Sequence, residues 1–102
     1  MVRPLTTVYV SIGNSDNKLT QERWSQLCHR TFNFLRGEAA HVHGVWFSAP
    51  DSPYQNAAIC FEIDAEQQAE PIKDVLRQIA ELYDQDSIAW AVAETEFVTP
   101  RV

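Results

Sequence analysis

Glycine is scarce in this chain. Gly13, Gly37 and Gly44 are the only three in 102 residues. That excludes a glycine-rich phosphate loop, which needs several close glycines to let backbone approach phosphate. Cysteine is equally scarce. Cys28 and Cys60 have no CxxC spacing; one falls on a helical apolar stripe and the other in a strand, where reduced thiols act as small hydrophobes. A reduced, cytoplasmic protein is the expectation. Basic residues number eight and are scattered, against fourteen acidic ones, for a net charge of -6. Such an acidic balance lacks the footprint of a nucleic-acid binder and opposes anionic membrane surfaces, so neither partner is expected. No stretch approaches the ~18 apolar residues of a membrane span. Met1 to Thr7 contains no apolar core of a leader peptide,. With no repeat, linker or low-complexity tract, a single domain over 1–102 is expected.

What the chain does have is apolar and aromatic content: 45% hydrophobic residues, with three Trp, five Phe and three Tyr. That suffices for a core and argues against disorder. The apolar residues follow an ordered series of periods. Thr6 to Ile12 alternates, with Val8, Val10 and Ile12 one way and Thr7, Tyr9 and Ser11 the other, which predicts a strand. Gly13 to Lys18 is turn material. Thr20 is placed to cap a helix whose stripe is Trp24, Leu27, Cys28, Thr31, Phe34 and Leu35, with Gly37 as its left-handed stop. His41 to Ser48 is a second strand. The two prolines in Ala49–Asn56 break any ladder, predicting a long hairpin loop. Ala57 to Ile63 is a third strand, Ile59, Phe61 and Ile63 opposing Ala58, Cys60 and Glu62. Asp64 caps a second helix, with Gln67 at the capping-box position and Pro71 near its start. Its stripe is Ile72, Val75, Leu76, Ile79, Leu82 and Tyr83. After a turn at Asp84–Ser87, Ile88, Trp90 and Val92 alternate with Ala89, Ala91 and Ala93 in a last strand.

The order is β-α-β-β-α-β. It predicts an α+β, ferredoxin-like fold: a four-stranded antiparallel sheet of order 4-1-3-2 with two helices on one face. A fold of this kind hosts many functions and names none.

Following the strand directions, three loops fall at one end. They bring Asn14, Asp16 and Asn17 beside Asp51, Tyr54, Gln55 and Asn56, and beside Asp84, Gln85, Asp86 and Ser87. Carboxylates and amides there would suit a cation or small ligand, and the first helix starts at that end. Turns are also simply made of these residues. The loop does not match an EF-hand, lacking its Gly and Glu. The candidate ligand-binding residues are Asn14, Asp16, Asp51, Tyr54, Asn56, Asp86 and Ser87. The sheet face without helices should carry Tyr9, Trp46, Ala58, Cys60, Ala89, Ala91 and Ala93. It is small and apolar for a solvated face, so these seven are the candidate interface of a homodimer; the competing reading covers the face with the chain's own termini.

Catalytic constellations are thin. His41 and His43 share a strand face with no third ligand spaced to join them, and with Val45 and Phe47 inward they would sit at the rim of the core face. Cys28 and His29 point about 100° apart on a helix. Glu94 and Glu96 end the last strand away from the polar loops, and Ser48 and Ser52 lack a nucleophile elbow. No metal and no cofactor is expected. The leading reading is a non-catalytic binding domain that self-associates through the open face, with a small ligand at the polar end. The alternative is a small dimeric α+β-barrel enzyme acting on a metabolite without metal, through Tyr9, Trp46, Tyr54, Asn56 and Asp86.

Overall fold

The computed structural model describes residues 4–101; Met1 to Arg3 and Val102 lie outside the described residues, so the segment read for a leader is seen only from Pro4. The strands are β1 (Thr6–Gly13), β2 (His41–Phe47), β3 (Asn56–Ile63) and β4 (Ala89–Val92). The helices are α1 (Gln21–Glu38) and α2 (Ala65–Leu82). The sheet order is β2-β3-β1-β4, every neighbour antiparallel. This is the ferredoxin-like arrangement that the periodicities predict.

The core forms where the inward residues of β1 and β3 meet the helix stripes. Val8, Val10, Ile12, Ala57, Ile59, Phe61 and Ile63 are buried against Leu27, Leu35, Ile72, Leu76 and Ile79. Fully burying one such side chain stabilises by about 1.5–3 kcal/mol, which makes this central layer the main source of stability. The caps follow the sequence in part. Thr20 accepts from Arg23 N at 3.2 Å and Asp64 from Gln67 N at 3.4 Å. The reciprocal bond of the capping box comes from Gln68, whose Oε1 accepts from Asp64 N at 2.8 Å, and not from the Gln67 side chain. Pro71 lies inside α2.

Two further expectations are corrected. Gly37 does not stop α1; the helix runs to Glu38 and Ala39 caps it in extended conformation, with no glycine at positive φ. Phe32, outside the expected stripe, is buried and meets Phe47 edge-on at 5.8 Å, because α1 also covers the β2 side of the sheet. The end of α2 shows what a left-handed stop looks like here. Asp84 adopts φ 54°, Asp84 N donates to Glu81 O at 3.2 Å, and Gln85 N donates to Ala80 O at 2.9 Å. That is a Schellman closure with Asp in the glycine place, a residue that tolerates the left-handed region.

Strand β2 carries an irregularity. Val42 pairs with Phe61 but Gly44 pairs with Cys60, leaving His43 as an extra residue. A bulge resets the two-residue period. Val42 and Val45 therefore both face the core, while His41, Gly44 and Trp46 are opposite Glu62, Cys60 and Ala58 on the other face. The expected placement of His41 and His43 at the rim of the core face is corrected accordingly.

Candidate functional site

The polar end is real as a place, and its best-buried members are amides. Asn14 is buried; its Nδ2 donates to Leu19 O at 3.1 Å and Gln55 Oε1 at 2.9 Å, and its Oδ1 accepts from Leu19 N at 2.9 Å. Gln55 Nε2 donates to Gln21 Oε1 at 2.8 Å. Gln85, also buried, accepts from Ser15 N at 3.0 Å and donates to Tyr83 O at 2.9 Å. Lys18 Nζ reaches Asp84 O at 3.3 Å and Asp86 Oδ1 at 3.4 Å. These bonds tie the first loop to the hairpin and to the loop after α2, so the three loops do meet. A buried amide with partners on both ends stabilises the closure, since leaving such a group unpaired costs about 1–3 kcal/mol.

The other ligand candidates are spread over that end. Asp16 lies in a short 3-10 turn at φ 54°, where Asp is tolerated,. Asp51 is exposed in the hairpin loop, and Tyr54 is exposed beside it. Asn56 Nδ2 donates to Tyr54 O at 3.4 Å. Asp86 and Ser87 line an open groove of about 610 Å³ between α2 and the approach to β4, with Leu76, Ala80, Ile88 and Trp90 among its walls. Lys73 Nζ sits 5.2 Å from the Trp90 ring centroid there. Lys73 and Arg77 of this groove do not stand out in the sequence as site residues. Their spacing of four on α2 was the available signal, since it sets both on one helix face.

The open face is ordered in rows by the strand register. Trp46, Ala58, Ser11 and Ala89 form one row, and Gly44, Cys60, Tyr9 and Ala91 the next. His41, Glu62 and Thr7 begin a third, which Ala93 joins by donating its N–H to Thr7 O at 2.9 Å. All seven interface candidates thus share one face. Trp46 is 59% and Tyr9 45% exposed. Between them lies a hollow of about 200 Å³, floored by Gly44, Ala58 and Cys60. The Tyr9 phenol is held above its ordinary pKa, first by its hydrogen bond with the Cys60 side chain and then by its electrostatic interaction with that side chain. Residues Glu94 to Arg101 are all exposed.

Possible reaction chemistry is dispersed. The residues of the enzyme alternative divide between Tyr9 and Trp46 on the open face, Tyr54 and Asn56 in and beside the hairpin, and Asp86 in the groove. His43 Nε2 lies 3.2 Å from Glu62 Oε1, and the His41 and His43 rings meet at 4.6 Å. Among the described residues no group of three or more His, Cys, Asp or Glu is placed to hold a metal ion. No described helix is long and apolar enough to cross a membrane.

No family model matches the sequence, and no curated protein matches it. Among solved structures, the chain is similar to a formyltetrahydrofolate deformylase from Burkholderia mallei, at 11% identity and a TM-score of 0.49. That match covers 88% of this chain and 28% of the deformylase chain. It is also similar to a dimeric ferredoxin-like protein from an uncultured marine organism, at 13% identity and a TM-score of 0.44, covering 94% of this chain and 92% of that one.

Proposed function

We propose that this chain is a non-catalytic binding domain that works as a homodimer, two copies packed sheet to sheet through the face without helices. One observation carries the reading: Trp46 and Tyr9 stand exposed in a field of Gly44, Ala58, Cys60, Ala89 and Ala91. Alanine and glycine are poor strand formers, and their use in successive rows is explained by close approach of another layer. Small residues let a second sheet come within about 10 Å, and the two aromatics supply the apolar area that is removed from water. The exposure of residues 94–101 supports a second copy over self-coverage by that segment. The polar end, in this reading, is the stitching that holds three loops in register at one end of the interface.

The test is sedimentation equilibrium at micromolar protein on the wild type and on Ala91→Arg. Ala91 is exposed in the isolated chain, so the arginine leaves the fold intact and obstructs only a facing sheet. A wild-type dimer that becomes a folded monomer is the expected result. A monomeric wild type, or an Ala91→Arg dimer as tight as the wild type, overturns the reading.

A further inference from the structure

Beyond Ala93 the chain continues as Glu94–Arg101, without secondary structure. Phe97 is 86% and Val98 90% exposed. Two adjacent large apolar residues this bare mark a contact surface. Nothing in the segment turns it back on its own strand: no Gly, Asn or Asp lies between Ala93 and Val98, and those are the residues a tight hairpin requires.

A seat of matching character exists on the helix face. The groove of about 610 Å³ runs beside β4, whose outer edge has no partner strand among the described residues. Its floor is apolar, and its charges are ordered. Lys73 stands beside Trp90 with Arg77 one turn on, while Glu81 and Asp86 lie toward the other end. The segment carries the complementary order when laid antiparallel to β4: Glu94 and Glu96 first, Arg101 last. In a face-to-face pair the two helix layers point outward, so carrying the pleat on from Trp90 and Val92 turns Thr95, Phe97 and Thr99 to the partner's helix side. Phe97 then meets the apolar floor, with Glu94 and Glu96 toward the Lys73 and Arg77 end. The present partners of those cations, Glu70 and Asp74, are exposed neighbours on the same helix; such pairs are worth about 0.5 kcal/mol or less and give way readily.

We propose that Glu94–Arg101 is an exchanged arm, seated in the groove between α2 and β4 of a second copy of this chain and paired antiparallel to the free edge of its β4. The inference rests on the self-association reading and says what completes that interface. The arm has the reach: eight extended residues span about 26 Å, of which crossing about 10 Å between packed sheets takes about three, leaving about five to pair. Pro100 is compatible with an added outer strand, where a missing N–H faces solvent.

The experiment mixes two singly substituted chains, Ala80→Cys and Phe97→Cys, each also carrying Cys60→Ser, and oxidises them mildly before a non-reducing gel. Sedimentation of the wild type is run alongside. The expected result is a covalent two-chain product from the mixture, several-fold above the yield from either chain alone. Equal yields, or a double variant that closes only within one chain, overturn the arm. A wild-type dimer without the mixed product rejects the arm and leaves the face-to-face dimer standing; a wild-type monomer rejects both.

Discussion

Asn14 Nδ2 lies 2.9 Å from Gln55 Oε1, forty-one residues away in sequence. With the two bonds from Asn14 to the Leu19 backbone, it makes one buried side chain the clasp between the first loop and the hairpin.

Asn14→Ala should therefore lower stability by about 2 kcal/mol, because Leu19 N–H and C=O lose their partners in a buried setting. Asn14→Asp should be at least as damaging. It keeps the acceptor for Leu19 N but turns a carboxylate oxygen toward two other oxygens. Urea denaturation checks both, and an Asn14→Ala midpoint equal to wild type refutes the clasp.

Thr31 presents the opposite case. It is fully buried on α1, and its Oγ1 has no hydrogen-bond partner among the described residues. Valine has the same shape without the hydroxyl. Thr31→Val should stabilise by about 1 kcal/mol, seen as a higher urea midpoint at unchanged slope. A lower midpoint would mean that the hydroxyl is satisfied in solution.

Burial pushes the Cys28 thiol from 9.0 up to about 11. The core favours the neutral form, so the folded pKa exceeds the unfolded one. Its contribution is complete below pH about 9 and is lost as pH climbs through about 11. Two pKa units correspond to about 2–3 kcal/mol, the expected scale of the alkaline loss from this one group. Cys28→Ala should flatten the stability profile between pH 9 and 11 relative to wild type, although it lies lower at neutral pH from the lost packing. Parallel profiles for the two proteins would refute the assignment.

The fold was legible where alternation is strong. Val8, Val10 and Ile12, and Ile59, Phe61 and Ile63, state the core face of the two central strands without ambiguity, and chain order with right-handed crossovers then gives the sheet. The edge strand was not legible in the same way. His41-Val42-His43-Gly44-Val45 reads as unbroken alternation, yet the extra residue at His43 moves both flanking valines inward. A bulge is a contest between one lost ladder bond and the burial of Val42, and that contest is decided by the neighbouring strand. Gly37 misled for a related reason: a glycine permits a left-handed stop, but the helix continues when the next residues cap it in extended conformation. At the polar end, the sequence showed that three loops converge. It did not show that Asn14, Gln55 and Gln85 turn inward, because the same amides serve equally well as solvated turn residues.

The bulge at His43 also makes the two sides of the sheet unlike. On β2 it bends the outer edge and throws its amides out of line, which blunts that side against another strand. On β4 the register with β1 runs unbroken from Ser11–Ala89 to Val8–Val92, and the far side stays straight. Growth by strand addition is thus open on one side and closed on the other. In the proposed dimer, two copies related by a two-fold axis each consume the other's single open side, and the count stops at two. A chain with both sides open would have no such stopping rule and would extend as a fibre.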